Sequence, residues 1–195
     1  MSRVVAIIAA LVTLALAPIA GATTVDLLTL DKLIQRSTRV VAGEVLAGQA
    51  TWLGRLLVTR VRLRVDDCLK GVCPSREMDV HVLGGELDGL AMMVDGSPRF
   101  VEGEHVVVFL EASGGGTFRT VGMSQGKFVR TSTASDARLQ RDLSGLLLQH
   151  DGVAAEHRTD PFHGLRFDDL RTRILAGYLP PAGTDRVLAS APRSR

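Results

Sequence analysis

The chain has 195 residues, with 23 Lys and Arg against 21 Asp and Glu and only one Trp and one Tyr. This balance excludes the basic footprint of a nucleic-acid-binding protein, and the scarcity of aromatic rings excludes a sugar- or base-stacking platform. The length suits one domain with a short appendage.

The first stretch, MSRVVAIIAALVTLALAPIAGA, carries Arg3, an apolar run from Val4 to Ala17, and the small-residue triplet Ala20-Gly21-Ala22. A basic start, a short apolar run and an A-x-A-like site define an export signal, and the expected cleavage lies between Ala22 and Thr23. Cleavage removes one arginine and no acid, leaving 22 basic against 21 acidic residues. The mature protein is therefore expected to be periplasmic or extracellular, with no membrane segment. Export lets Cys68 and Cys73 be read as a disulfide rather than metal ligands or a redox pair. So small a loop gains only about 2 kcal/mol from cross-linking.

Thr29 is placed to cap a short helix in which Leu30, Leu33 and Ile34 share a face. A β-rich run follows from Val40 to Trp52, with bends expected at Gly43 and Gly48, and Leu53-Gly54-Arg55 turns the chain.

The next stretch, Leu56 to Gly85, reads as a hairpin. Thr59, Val61, Leu63 and Val65 alternate with Arg60, Arg62 and Arg64, and Met78, Val80 and Val82 alternate with Glu77, Asp79 and His81. Period two marks strands with one buried face. If Cys68 and Cys73 oppose each other, Arg64 faces Glu77, Arg62 faces Asp79 and Arg60 faces His81. A one-residue slip would turn the charges onto the core, so patterning and cysteine spacing agree. The arginines then read as a solvated, neutralised face rather than an anion-binding stripe.

Residues 84–103 form a long connection holding Leu87, Leu90, Met92, Met93 and Phe100. Such a loop either plugs the end of the core or presents adaptable side chains to a partner. His105–Leu110 is apolar on both faces, as a central strand should be. After Ser113–Gly116 the chain gives one or two more strands up to Arg130. Beyond it, Ser135 is placed to cap a helix bearing Leu139, Leu143, Leu146 and Leu147, and a second helix carries Phe167, Leu170, Ile174 and Tyr178. The expected division is signal 1–22, β domain 23–130, helical appendage 131–180 and disordered tail 181–195. The fold class is mainly β: a small antiparallel barrel with a short N-terminal helix and two C-terminal helices.

No catalytic constellation emerges. Gly122-Met123-Ser124-Gln125-Gly126 matches G-x-S-x-G, but a strand rather than a helix follows it, so the nucleophile elbow is missing. The spacing also fails the phosphate-loop pattern. His81, His105, His150, His157 and His163 show no metal-ligand spacing, and no cofactor or metal is expected. Asp66-Asp67 point to opposite faces of a strand, and Asp168-Asp169 sit at a helix start, where carboxylates favour the dipole.

Taken in order, VVAGEV, DDCLKG, MDVHV and FVEGEHVVVFL resemble the netrin-like domains, which include the tissue inhibitors of metalloproteinases. Residues 30–130 carry the likeness, which implies an OB-type barrel followed by helices. The chain is also similar to a group of exported bacterial proteins sharing the words at Gly103–Leu110 and Gly122–Phe128. Those inhibitors chelate the protease zinc through an N-terminal cysteine. A chain beginning at Thr23 has none, so no inhibitory residue transfers. The expected function is an exported, non-catalytic module binding a protein partner through Leu87, Leu90, Met92, Met93 and Phe100, as regulator or companion of a secreted protease or envelope protein. The alternatives are a structural envelope component and a hydrolase with another site.

Overall fold

The computed structural model describes residues 23–150, 153–154 and 160–177. The signal segment with Ala22, His157, Tyr178 and the 181–195 tail lie outside them. Strand β1 (Thr23–Asp26) leads into helix α1 (Leu30–Arg36), whose first turn is capped by Thr29 Oγ1 accepting from Lys32 N at 3.3 Å. Lys70 Nζ donates to Ile34 O at 2.5 Å and Ser37 O at 2.7 Å, satisfying carbonyls that a helix end leaves open.

Two long strands come next, β2 (Arg39–Leu53) and β3 (Leu56–Lys70), joined at Gly54. Their pairing shifts register between Ala42 and Gly43, where a Cβ would lie 1.9 Å from Arg64 O. Only glycine permits that approach. The bend expected at Gly48 falls instead between Val45 and Ala47. Strand β4 (Glu77–Leu83) completes the hairpin, with Arg64 opposite Glu77, Arg62 opposite Asp79 and Arg60 opposite His81. Cys68 and Cys73 are bonded, S–S 2.08 Å.

The 84–103 connection contains its own small hairpin, β5 (Gly85–Leu87) and β6 (Leu90–Met92). The chain then enters β7 (His105–Gly114), β8 (Thr117–Thr120) and β9 (Lys127–Arg130), with a 3-10 turn at Met123–Gly126 before the last. Strand β2 pairs β3 and β7, β3 pairs β4, and β8 pairs β7 along its length but meets β4 only at Val80–Phe118. The result is a ring-like sheet, partly open between β4 and β8.

β7 is apolar on both faces because it separates two buried clusters. Val106, Val108 and Leu110 point into the ring with Val41, Val61, Leu63 and Val80. Val107 and Phe109 face an outer layer with Leu33, Phe128, Leu139 and Ile174. Burying one such side chain stabilises by about 1.5–3 kcal/mol, so both faces hold β7 in place.

The expected helix from Ser135 is absent. Leu139 lies instead in β10 (Leu139–Gln140), which extends the main sheet beside β9, Leu143 in the connection that follows, and Leu146 and Leu147 in β11 (Leu146–His150), which runs parallel to β1 and antiparallel to β12 (Val153–Ala154). Gly145, at φ +79°, separates the two strands, and an exposed Leu147 between half-buried Leu146 and Leu148 reveals period two. Long-range pairing overrode the helical spacing. The second expected helix is α2 (Phe167–Gly177), with Phe167, Leu170 and Ile174 buried. The region after Arg130 thus carries one described helix, and the two-helix expectation is corrected.

Candidate functional site

The outward arginines are occupied locally. Arg62 Nε approaches Asp79 at 3.5 Å and Glu77 at 3.9 Å, while Arg64 pairs with Glu44 and with Asp66 at 3.3 Å. Arg60 donates to Gln49 Oε1 at 3.2 Å rather than engaging His81, whose Nδ1 is buried without a hydrogen-bond partner. The side chains therefore engage partners on both sides of β3, because Glu44 and Gln49 of β2 stand directly opposite Arg64 and Arg60. Exposed pairs of this kind contribute about 0–1 kcal/mol each.

The 84–101 loop presents a mixed surface. Met93 is 79% exposed and Leu90 59%, whereas Leu87 and Met92 are half-buried and Phe100 packs against the ring's interior cluster. Leu83 is also exposed, at the point where β4 enters the loop. Between loop and sheet lies an apolar cleft of about 530 Å³, with Val61 and Val82 on the ring side and Met92, Phe100 and Val101 on the loop side. The sequence-selected residues are thus divided: Phe100 anchors, Met92 lines the cleft, and Leu90 and Met93 project.

The base of this loop is fixed from below. Gly103 N donates to Val45 O at 2.8 Å, and Val45 N to Glu104 O at 2.9 Å. Lys127, 9% exposed at the side chain, donates to Glu104 Oε2 at 2.6 Å and to Arg99 O, with its ammonium 4.8 Å from the Phe100 ring centre. One lysine therefore holds a carboxylate, a carbonyl and an aromatic ring of the same loop. Sequence reasoning singled out the words containing Glu104 and Lys127 without seeing that they meet. No local signal joins them, since Lys127 opens β9 and Glu104 precedes β7.

The rest of the Gly122–Phe128 word is equally occupied. Gln125 Oε1 accepts from Leu28 N at 2.8 Å and its Nε2 donates to Asp26 O at 3.0 Å, clamping the chain after β1. The fully buried Arg141 side chain forks onto Asp160, reaches Gln125 O at 3.2 Å, and lies between the Phe128 and Phe162 rings. Ser124 is buried, and its hydroxyl has no hydrogen-bond partner. A serine nucleophile needs a base within hydrogen-bond reach, and none stands there among the described residues. No group of three or more His, Cys, Asp or Glu side chains among the described residues is arranged to hold a metal. None of the described helices is long and apolar enough to cross a membrane.

Thr23, the expected first mature residue, is paired in β1 opposite Leu146. No family model, characterised protein or solved structure matches this chain.

Proposed function

We propose that this protein is an exported, non-catalytic binding module that engages a protein partner through the apolar surface around Leu83, Leu90 and Met93, as regulator or companion of a secreted protease or another envelope protein. The observation that carries the reading is a projecting apolar loop on a rigid base: Met93 is 79% exposed, while Lys127 and Phe100 pin the chain behind it. Large apolar side chains grouped on a surface mark interaction sites, and a fixed loop loses less entropy when bound. We assign the ring to the OB type, a five-stranded and partly open barrel, and the cycle of β2, β3, β4, β8 and β7 supports that assignment. Export is supported by the Cys68–Cys73 bond, which belongs to oxidising compartments.

The test is affinity capture from culture medium and periplasm with the oxidised mature protein and with its Leu90→Asp/Met93→Asp variant. A stoichiometric partner that the wild type retains and the variant loses, at unchanged melting temperature, supports the reading. Capture unaffected by the double substitution refutes it.

A further inference from the structure

A second cleft lies away from the 84–101 loop, at the opening of the ring between β4 and β8. It encloses about 520 Å³ and is lined by Arg39, Gly115, Gly116 and Phe118 together with Arg62 of β3 and Glu77 and Asp79 of β4. β4 and β8 meet at a single residue pair, Val80–Phe118, so the strands splay beside Glu77–Asp79 and leave the space unfilled.

Arg39 is the unusual member. Its guanidinium carbon stands 4.3 Å from the centre of the Phe118 ring, and Phe118 is itself 8% exposed. Among the described residues no carboxylate forms an ion pair with Arg39. Glu77 and Asp79 share the cleft but are both engaged by Arg62, at 3.9 and 3.5 Å. Arg39 is half-buried, so part of its hydration is replaced by an aromatic face that returns only part of the free energy lost. Burial lowers the Arg39 pKa from its ordinary value. Contact with the ring restrains the guanidinium, whose N–H fork matches a planar two-oxygen group.

We propose that this cleft is a carboxylate-binding site in which Arg39, its guanidinium over the Phe118 ring, is the charged anchor. The two acids of β4 select the ligand: they tolerate a single negative charge beside Arg39 and repel a more highly charged phosphate. Gly115 and Gly116, both at positive φ, line the rim with backbone alone, so a ligand approaches there without meeting side chains. The carboxylate belongs either to a small free acid or to an acidic residue of a peptide. Both present the same group to Arg39.

Amide and arginine Nε–H spectra of the ¹⁵N-labelled, oxidised mature protein test this, with acetate, the capped tripeptide acetyl-Gly-Glu-Gly-amide and inorganic phosphate as probes. The expected result is saturable shifts at Arg39 Nε–H, Gly116 and the adjoining Thr117 with one or both carboxylates and weaker binding of phosphate. Tighter binding of the tripeptide identifies a peptide source, and equal or tighter binding of acetate a small-acid source. Arg39→Gln should weaken binding roughly tenfold or more, while Arg39→Lys keeps part of it. If Arg39→Gln fails to fold, the wild-type Nε–H shift and Arg39→Lys decide the question. Absence of saturable shifts with both carboxylates, unchanged affinity in a folded Arg39→Gln variant, or phosphate binding as well as carboxylate overturns the site.

Discussion

Replacing Lys127 with Met keeps the length and apolar stem of the side chain while removing its charge. The ammonium donates to Glu104 and Arg99 O and faces the Phe100 ring, at side-chain exposures of 9% for Lys127 and 19% for Glu104. Removing one member of a buried pair costs about 3–5 kcal/mol, because the other charge is left without a partner. Glu104 retains a hydrogen bond from Val101 N at 3.3 Å and some solvent, which places the expected loss near the lower bound, about 3 kcal/mol. For a domain of this size that corresponds to a fall in melting temperature of roughly 6–12 °C. Lys127→Met/Glu104→Gln should recover part of the loss, since the orphaned carboxylate is gone. Thermal denaturation followed by circular dichroism measures both variants. Amide exchange should quicken at residues 99–104 more than in β2 or β3. A Lys127→Met protein within about 0.5 kcal/mol of wild type, with an unchanged exchange pattern, would refute the claim that this lysine holds the loop.

Leu139→Ala should destabilise by about 2–5 kcal/mol, whereas Leu147→Ala should stay within about 0.5 kcal/mol, because Leu139 is fully buried and Leu147 is 55% exposed; urea denaturation of both distinguishes this arrangement from a helix burying all four leucines. Cys68→Ser/Cys73→Ser should fold with a loss of about 2 kcal/mol, as a short closed loop implies, and a failure to fold would show that the bond does more than fix the hairpin end. Hydrogen bonds from Ser144 hold the Asp142 carboxylate below its ordinary pKa, so its contribution is present above the unfolded value of about 4 and is lost as pH falls through the folded value. Ser144→Ala should therefore lower stability at neutral pH and flatten the acid limb of the stability curve, with wild type and variant converging below the folded pKa, as measured by urea denaturation between about pH 2 and pH 7.

The central hairpin was legible because two independent signals coincide in it. Alternation chose the buried face, and the cysteine spacing chose the register. Helix α1 was legible from a local cap, Thr29, and a three-residue apolar face. The C-terminal leucines were not. Leu139, Leu143, Leu146 and Leu147 fit a helical stripe, yet Leu139 pairs with Arg130 of β9, and Leu146 and Leu147 pair with β1, more than a hundred residues earlier. The loop base was hidden for the same reason. Lys127 and Glu104 lie 23 positions apart on separate elements, and nothing local in either word requires the other. The loop itself was recognised as apolar, but sequence alone does not say that Phe100 turns inward while Met93 turns out. That difference depends on where Lys127 stands.

The proposed function requires Met93 and Leu90 to form a contact surface. The most direct measurement is site-specific photocrosslinking in the producing cell, with the photoreactive residue placed at Met93 and, as a control, at the exposed Leu147. A discrete adduct from position 93 that is absent from position 147, and lost in the Leu90→Asp background, is the predicted result. Adducts of the same kind from both positions, or none from position 93, would contradict it.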